Sequence, residues 1–509
     1  MFNNNTQNGH ESYEAYNEPR YKHMKTTNLK FIKKGIFTFA LIGSIFGCQS
    51  CQKSDDDVKP IPPPTVPEPA NVRFYLTKAD QSQLFKVQET GVFKYTENSN
   101  FSISVNANQT YQEMDGFGYT LTGGSALHLN TMSSSNRAQI LNDLFKWDGN
   151  SIGVSYLRIS VGASDLDTAP FSYNDLPSGE TDINLTKFSI AKDKENLIPV
   201  LKEILTINPN IKIMGSPWSP PAWMKTNQNS KGGSLKLEYY ETYAQYFVKY
   251  IQAMASEGIA IDAITVQNEP LHPGNNPSLL MEVPDQANFV KNHLGPAFSS
   301  NGINTKIIIY DHNADRTDYP ISVLNDPDAN QYIDGSAFHL YAGSIDKLSL
   351  VHNAHPDKNL YFTEQWVGAN EQFQDNLKWH IRELIVGASR NWCKTVLEWN
   401  LAANSSLQPH TDGGCTECLG ALTIDGNTVK KNVAYYIIAH AAKYVRPGSM
   451  RIESNYSSDL PNVAFKTPEG KTVVIVLNNS DTKKSFNINV PQEPISTSLE
   501  AGAVGTFVW

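Results

Sequence analysis

Eight short apolar segments, each followed by a longer stretch, set the strongest limit on what this chain can fold into. They read GFGYTLTG from Gly116, VSYLRISVG from Val154, IKIMGSPW from Ile211, AITVQNEP from Ala263, KIIIYDHN from Lys306, GSAFHLYAG from Gly335, NLYFTEQW from Asn359 and TVLEWNLA from Thr395. Among the intervening stretches, LEYYETYAQYFVKYIQAMASEG (237–258) repeats its apolar residues at helical spacing and ends on Gly258. NLIPVLKEILTIN and NLKWHIRELIVGASR keep the same period. Strands that alternate with helices pair in parallel, and eight of them close a barrel. An open, doubly wound sheet is the competing architecture, and it normally announces itself with a phosphate loop. GFGYTLTG carries four residues after its second glycine, which breaks the GxGxxG spacing and argues against nucleotide binding. The expected fold class is therefore α/β, with a (β/α)8 barrel over residues 111–442.

Both flanks of the barrel read differently. VRFYLT, LFKV and FSISV fall within 71–110, and VAFKT, KTVVIVLNN, KSFNINV and VGTFVW within 443–509. Strands separated by polar turns at both ends of one chain predict a single side β-sandwich built from the two ends. Residues 1–47 read as an upstream polar segment and a signal peptide, with Met24 an alternative start to Met1. Four lysines precede an apolar run from Ile36 to Phe46, too short to span a bilayer comfortably. Cys48 directly after Gly47 resembles the lipidated cysteine of a bacterial lipoprotein. Phe46 departs from the small residue usual there, which keeps an ordinary secretory peptide as the alternative. Residues 48–70 are acidic and proline-rich, a solvated tether. The expected location is the outer membrane or cell surface, otherwise the periplasm or the medium, with the lipid anchor as the one membrane contact.

A net charge of -9 without a basic stripe excludes nucleic acid as a partner, because that binding depends on clustered lysine and arginine. Of five cysteines, Cys393 reads as a core residue, and Cys415 and Cys418 in GGCTEC as a local disulfide, since one exported CxxC pair suits neither zinc nor cytosolic redox work. The twelve histidines include no HxxxH pattern, and neither a metal nor a cofactor is expected.

An eight-stranded α/β barrel builds its active site where the strands end. The strand ends here offer Arg158 leading to Asp165, Trp218, Asn268 with Glu269, His339 with Tyr341, Glu364 with Trp366, and Trp399 with Asn400. Glu269 and Glu364 stand at matching points of strands four and seven. Two facing carboxylates are the minimum equipment for cleaving a glycosidic bond, one protonated and one ionised. Asn268 beside Glu269 suits a contact to a sugar 2-hydroxyl. Either glutamate alone would as readily be a salt-bridge partner. Glu371 and Glu398 are alternatives for the second carboxylate, but Glu398 and Trp399 must point to opposite faces of their strand.

The stretches DGFGYTLTGGSA, LRISVGASDLD, GSPWSPPAWMKTN, VQNEPL, FHLYAG, YFTEQW and EWNLAAN, in that order, resemble glycoside hydrolase family 30. This family comprises retaining β-glycosidases, among them glucosylceramidases and endo-β-1,6-glucanases. The resemblance implies a barrel with a side sandwich, Glu269 as general acid/base and Glu364 as nucleophile. It assigns Arg158, Asp165, Trp218, Asn268, His339, Tyr341 and Trp399 to substrate binding or to orienting the carboxylates. It further implies double displacement on a β-glucan or β-glucoside without a cofactor, and the expected oligomeric state is a monomer. Within the family, endo-β-1,6-glucanase is the first expectation and glucosylceramidase or another β-glucosidase the alternative. A non-catalytic glycan-binding surface lipoprotein is the alternative of another class.

Overall fold

The computed structural model describes residues 70–88, 92–491 and 493–509. The signal, Cys48 and most of the tether lie outside these residues. The eight apolar segments form strands β1 (Gly116–Thr120), β2 (Tyr156–Ser160), β3 (Lys212–Ser216), β4 (Ala263–Thr265), β5 (Lys306–Asn313), β6 (Ile333–His339), β7 (Asn359–Glu364) and β8 (Cys393–Asn400). They close in sequence order into a barrel, β8 pairing with β1, and every pairing is parallel.

Strand alternation decides what fills the barrel. One interior layer is apolar and draws on seven strands: Tyr156, Met214, Ala263, Ile308, Ala337, Tyr361 and Leu397. Two positions further along the same strands come Arg158, Ser216, Thr265, His339, Thr363 and Trp399, all buried. The barrel thus passes from a dry floor to a polar layer directly beneath its mouth. Strand β5 reaches that layer by another route. Its register shifts between Tyr310 and His312, and Tyr310 and Asp311 both hold left-handed backbone, at φ 71° and 66°. This bulge turns Tyr310 outward onto Tyr319, with ring centroids 5.0 Å apart, and Asp311 inward.

The helices cover the barrel with their apolar faces. Tyr240–Ser256 buries Tyr243, Tyr246, Phe247, Tyr250 and Met254, and two residues beyond it Gly258 takes the left-handed conformation that ends such helices. No helix among the described residues is long and apolar enough to cross a membrane.

Beside the barrel, nine strands form the sandwich, and the two ends of the described residues meet in it. Arg73–Thr77 pairs antiparallel with Val504–Val508. Phe101–Glu113 runs parallel to Lys484–Asn489 over its first part and antiparallel to Met450–Ser454 beyond, so that it serves both layers. Phe74, Ile103, Val474, Phe486 and Phe507 lie in the core between them. The helix Val433–Ala442 joins the two bodies through His440, whose ring nitrogens lie 2.8 Å from Thr506 Oγ1 and 2.7 Å from Thr77 Oγ1.

Candidate active site

The site begins where β4 stops. After Thr265 the chain leaves the ladder, and Glu269 holds φ 45° immediately before Pro270. Left-handed backbone on a residue that is neither glycine nor followed by freedom costs on the order of 1–3 kcal/mol and persists only where surroundings impose it. Here the Glu269 amide donates to the Asp311 carbonyl at 3.0 Å, locking the strained residue to the β5 bulge.

Arg158 is the hub. Fully buried, it donates from Nε to Ser216 Oγ (3.0 Å), from one terminal nitrogen to Glu364 Oε2 (2.6 Å), and from the other to Asn268 Oδ1 (2.6 Å) and Asp311 Oδ2 (2.8 Å). Tyr341 donates to the second Glu364 oxygen at 3.0 Å. Both Glu364 oxygens are therefore fixed. Because Arg158 occupies Asn268 Oδ1, that amide presents its Nδ2 donor to a ligand. His339 spans the two carboxylates, its Nδ1 lying 3.1 Å from Glu269 Oε1 and 3.8 Å from Glu364 Oε1, and its Nε2 reaches Asp311 Oδ1 at 3.2 Å. Oxygens of Glu269 and Glu364 lie within 4.8 Å of each other and of the His339 nitrogen.

Burial opposes every charge in this network, and partners decide the balance. Burial alone would raise Asp311, yet Arg158 and His339 hold it far below the ordinary carboxylate range. His339 is lifted to about 9, the carboxylates Glu364, Asp311 and Glu269 outweighing its burial. A protonated His339 donates from both nitrogens and has no lone pair left. Burial likewise works against Glu269, but the hydrogen bond and charge of His339, with His312 and His272, pull it down to about 2. Glu364 moves upward through burial, with His339 and Arg158 opposing and the Glu269 charge adding to the push.

Around this network stand aromatic and acidic walls. The rings of Trp218 and Trp399 lie 5.4 Å apart and cover Arg158, at 4.8 and 5.7 Å from its Cζ. Trp218 retains 1% of its surface and Trp399 4%, and both rings belong to a buried cluster with Leu166 and Cys418. Asp165 is buried and accepts the Cys415 amide at 3.2 Å. Its carboxyl rises to about 7, through burial first and then the Glu364 charge. Cys415 and Cys418 are joined in a disulfide, and Cys393 is a buried free thiol.

The family models for the glycosyl hydrolase family 30 TIM-barrel domain and for the glycosyl hydrolase family 30 beta sandwich domain match residues 114–445 and 448–507. The chain belongs to glycosyl hydrolase family 30. An endo-1,6-beta-D-glucanase of Aspergillus fumigatus is 35% identical over 423 residues, covering 76% of this chain and 84% of the relative. The lysosomal acid glucosylceramidase of Mus musculus is 28% identical over 439 residues, covering 80% and 83%. A solved endo-beta1,6-glucanase superposes with a TM-score of 0.80 at 34% identity, covering 86% of this chain and 98% of that one.

In this family 30 chain the structure gathers Glu269, Glu364, Arg158, Asn268, His339 and Tyr341 into one network, with Trp218, Trp399 and Asp165 around it. Glu398 lies elsewhere: its Oε1 meets His380 Nδ1 at 2.8 Å on the outer face of β8. Glu371 lines a separate cavity. Sequence reasoning missed Asp311, which also accepts from Thr363 (2.6 Å) and Thr265 (2.7 Å). The signal was present, because an aspartate within the otherwise apolar KIIIYDHN needs a partner if it is buried. Simple alternation, however, puts it on the outer face, and the bulge that reverses it leaves no mark in the sequence.

Proposed function

We propose that this chain is a retaining endo-β-1,6-glucanase. The observation that carries the reading is the approach of the Glu269 and Glu364 oxygens to within 4.8 Å. An inverting pair stands about 6.5–9.5 Å apart to admit water between sugar and base, whereas a retaining pair stands about 5–5.5 Å apart. In the first step a Glu364 oxygen attacks the anomeric carbon. The bond to the glycosidic oxygen breaks with its electron pair, and Glu269 supplies the proton to that leaving oxygen. In the second step Glu269 takes a proton from water, the water oxygen attacks the same carbon, and Glu364 departs as carboxylate. Asn268 Nδ2, oriented by Arg158, donates to the 2-hydroxyl of the glucosyl unit as positive charge develops in the ring.

The two carboxyls shift in opposite directions, Glu364 up through burial and Glu269 down, against burial, through His339. The donors nevertheless assign the roles. Arg158 and Tyr341 clamp both Glu364 oxygens in position to attack. Glu269 has one strong partner, His339, through which a proton returns to it, and the pair titrates as a unit. Glu364→Gln should lower kcat by about 10⁴-fold or more on any β-glucoside, as expected when an attacking group is lost. Glu269→Gln should spare the first step on an aryl glucoside with an activated leaving group, which needs no proton, while abolishing cleavage of glucan. Equal loss on both substrates would reverse the assignment.

The substrate reading is supported by the 35% and 34% identities to endo-1,6-glucanases, against 28% to the glucosylceramidase. Product analysis on linear β-1,6-glucan beside glucosylceramide decides it. Oligosaccharides from the polymer are expected; glucose released solely from the lipid would sink the proposal. For its place of work, the reading is a monomer held at the cell surface by lipid on Cys48, resting on the segment from Met24 to the tether. Cys48→Ala is expected to shift the protein from the membrane to the soluble fraction.

A further inference from the structure

Immediately behind the cleft, the segment following β7 and the helix Phe373–His380 enclose an open cavity of about 670 Å³. Glu364 turns into the barrel mouth, and the next side chain, Gln365, lines this cavity instead. Gln365 is more than nine-tenths buried, and its Oε1 has no hydrogen-bond partner. The opposite wall is one face of the helix. Asp375, Lys378 and Trp379 on that helix line the cavity, and Arg382, in the helical segment Ile381–Ala388 that continues it, lines it too. Trp366 forms the wall shared with the cleft, since it also packs against the buried cluster that Leu166, Trp218, Trp399 and Cys418 make there.

The lining states what it can hold. Two half-buried indoles offer flat apolar faces that suit the C–H faces of a pyranose. Between them, amides such as Asn370 and Gln372 supply both donors and acceptors for hydroxyls. Glu371 and Asp375 are balanced by Lys378 and Arg382, so the cavity favours neither anions nor cations. Two aromatic rings among polar neighbours are too little apolar surface for a lipid tail. An uncharged polyol with a ring to stack is what remains.

We propose that this cavity is a glucan-binding subsite, which holds glucosyl units of the substrate polymer away from the bond being cleaved. The inference rests on the β-glucan reading above and extends it, making Trp379 and Asp375 determinants of polymer use. Wild type, Trp379→Ala and Asp375→Ala are compared on an aryl β-glucoside, which reaches the cleft alone, and on linear β-1,6-glucan. Both variants should keep kcat/KM on the aryl glucoside within about twofold. On the polymer, Trp379→Ala should lose about tenfold and Asp375→Ala about threefold, carried by KM. Asp375 is exposed, so its variant tests the cavity even if the helix does not tolerate loss of the indole. Variants that match wild type on the polymer, or that lose equally on both substrates, would overturn the subsite. A wild type that cleaves the aryl glucoside but leaves the polymer intact would instead overturn the glucanase reading, and the subsite with it.

Discussion

Asp311 shows how one side chain conditions the others. It is fully buried and negative, and it is the common counter-ion of Arg158 and His339, the two cations that address the carboxylates. Asp311→Asn keeps the shape and removes the charge, leaving two buried cations under-compensated. Breaking a buried ion pair from one side costs about 3–5 kcal/mol, which denaturant titration would read. A second consequence separates positioning from mere stability. Asp311 is among the groups that raise His339 to about 9. His339 must stay protonated to return a proton to Glu269, so activity persists below its pKa and fades above it. The variant's alkaline limb of kcat/KM should therefore move to lower pH. An unchanged limb with lowered stability would reduce Asp311 to a packing role.

At the scale of elements, the loop after β8 is a brace between two others. Thr411 donates its amide to the Asp165 carbonyl at 2.8 Å, and Cys415 donates to the Asp165 side chain. Gly414 passes so close to that carbonyl that an added Cβ would fall 2.4 Å from it, so glycine is what the approach requires. Three residues beyond Cys415, the strand Cys418–Leu419 pairs with Val367–Gly368 after β7. The disulfide between Cys415 and Cys418 thus ties Asp165 to the loop behind Glu364. In the double variant Cys415→Ala and Cys418→Ala, the Cys415 amide should lose its hold. An ordinary hydrogen bond is worth about 0.5–1.5 kcal/mol net, so KM for a small β-glucoside should rise about two- to tenfold with kcat little changed. Unchanged KM would mean that the loop holds Asp165 without the disulfide.

For the whole molecule, the telling contact is His440, buried between barrel and sandwich and held by two threonine hydroxyls. Burial lowers it to about 3 from an ordinary value of 6.5. Its folded pKa lies below the unfolded one, so its contribution is complete above pH 6.5. Below that the unfolded chain binds a proton that the native chain refuses, and stability is lost down to about pH 3 at ~1.4 kcal/mol per pH unit. Asp193 and Asp167, raised by burial to about 7 and about 6, act in the opposite sense and gain stability over part of the same range. The wild-type curve alone therefore hides the histidine. The difference in unfolding free energy between wild type and His440→Gln should fall by about 2 kcal/mol from pH 7.5 to 5. A difference independent of pH would mean that His440 is charged or exposed in the folded protein.

Sequence by itself determined the barrel, the sandwich made from both ends and the rim residues, because these follow from periodicities that each strand carries locally. Arg158, Asn268, Glu269, His339, Tyr341 and Glu364 could be named because strand ends in such a barrel converge on one mouth. Tertiary structure alone decided how closely Glu269 approaches Glu364, and that Trp218 covers Arg158. It also decided that Asp311 points inward, because a bulge is an exchange of hydrogen bonds between neighbouring strands and has no local signature. The cavity behind β7 belongs to the same class. Its walls come from a strand end and a helix that only packing brings face to face.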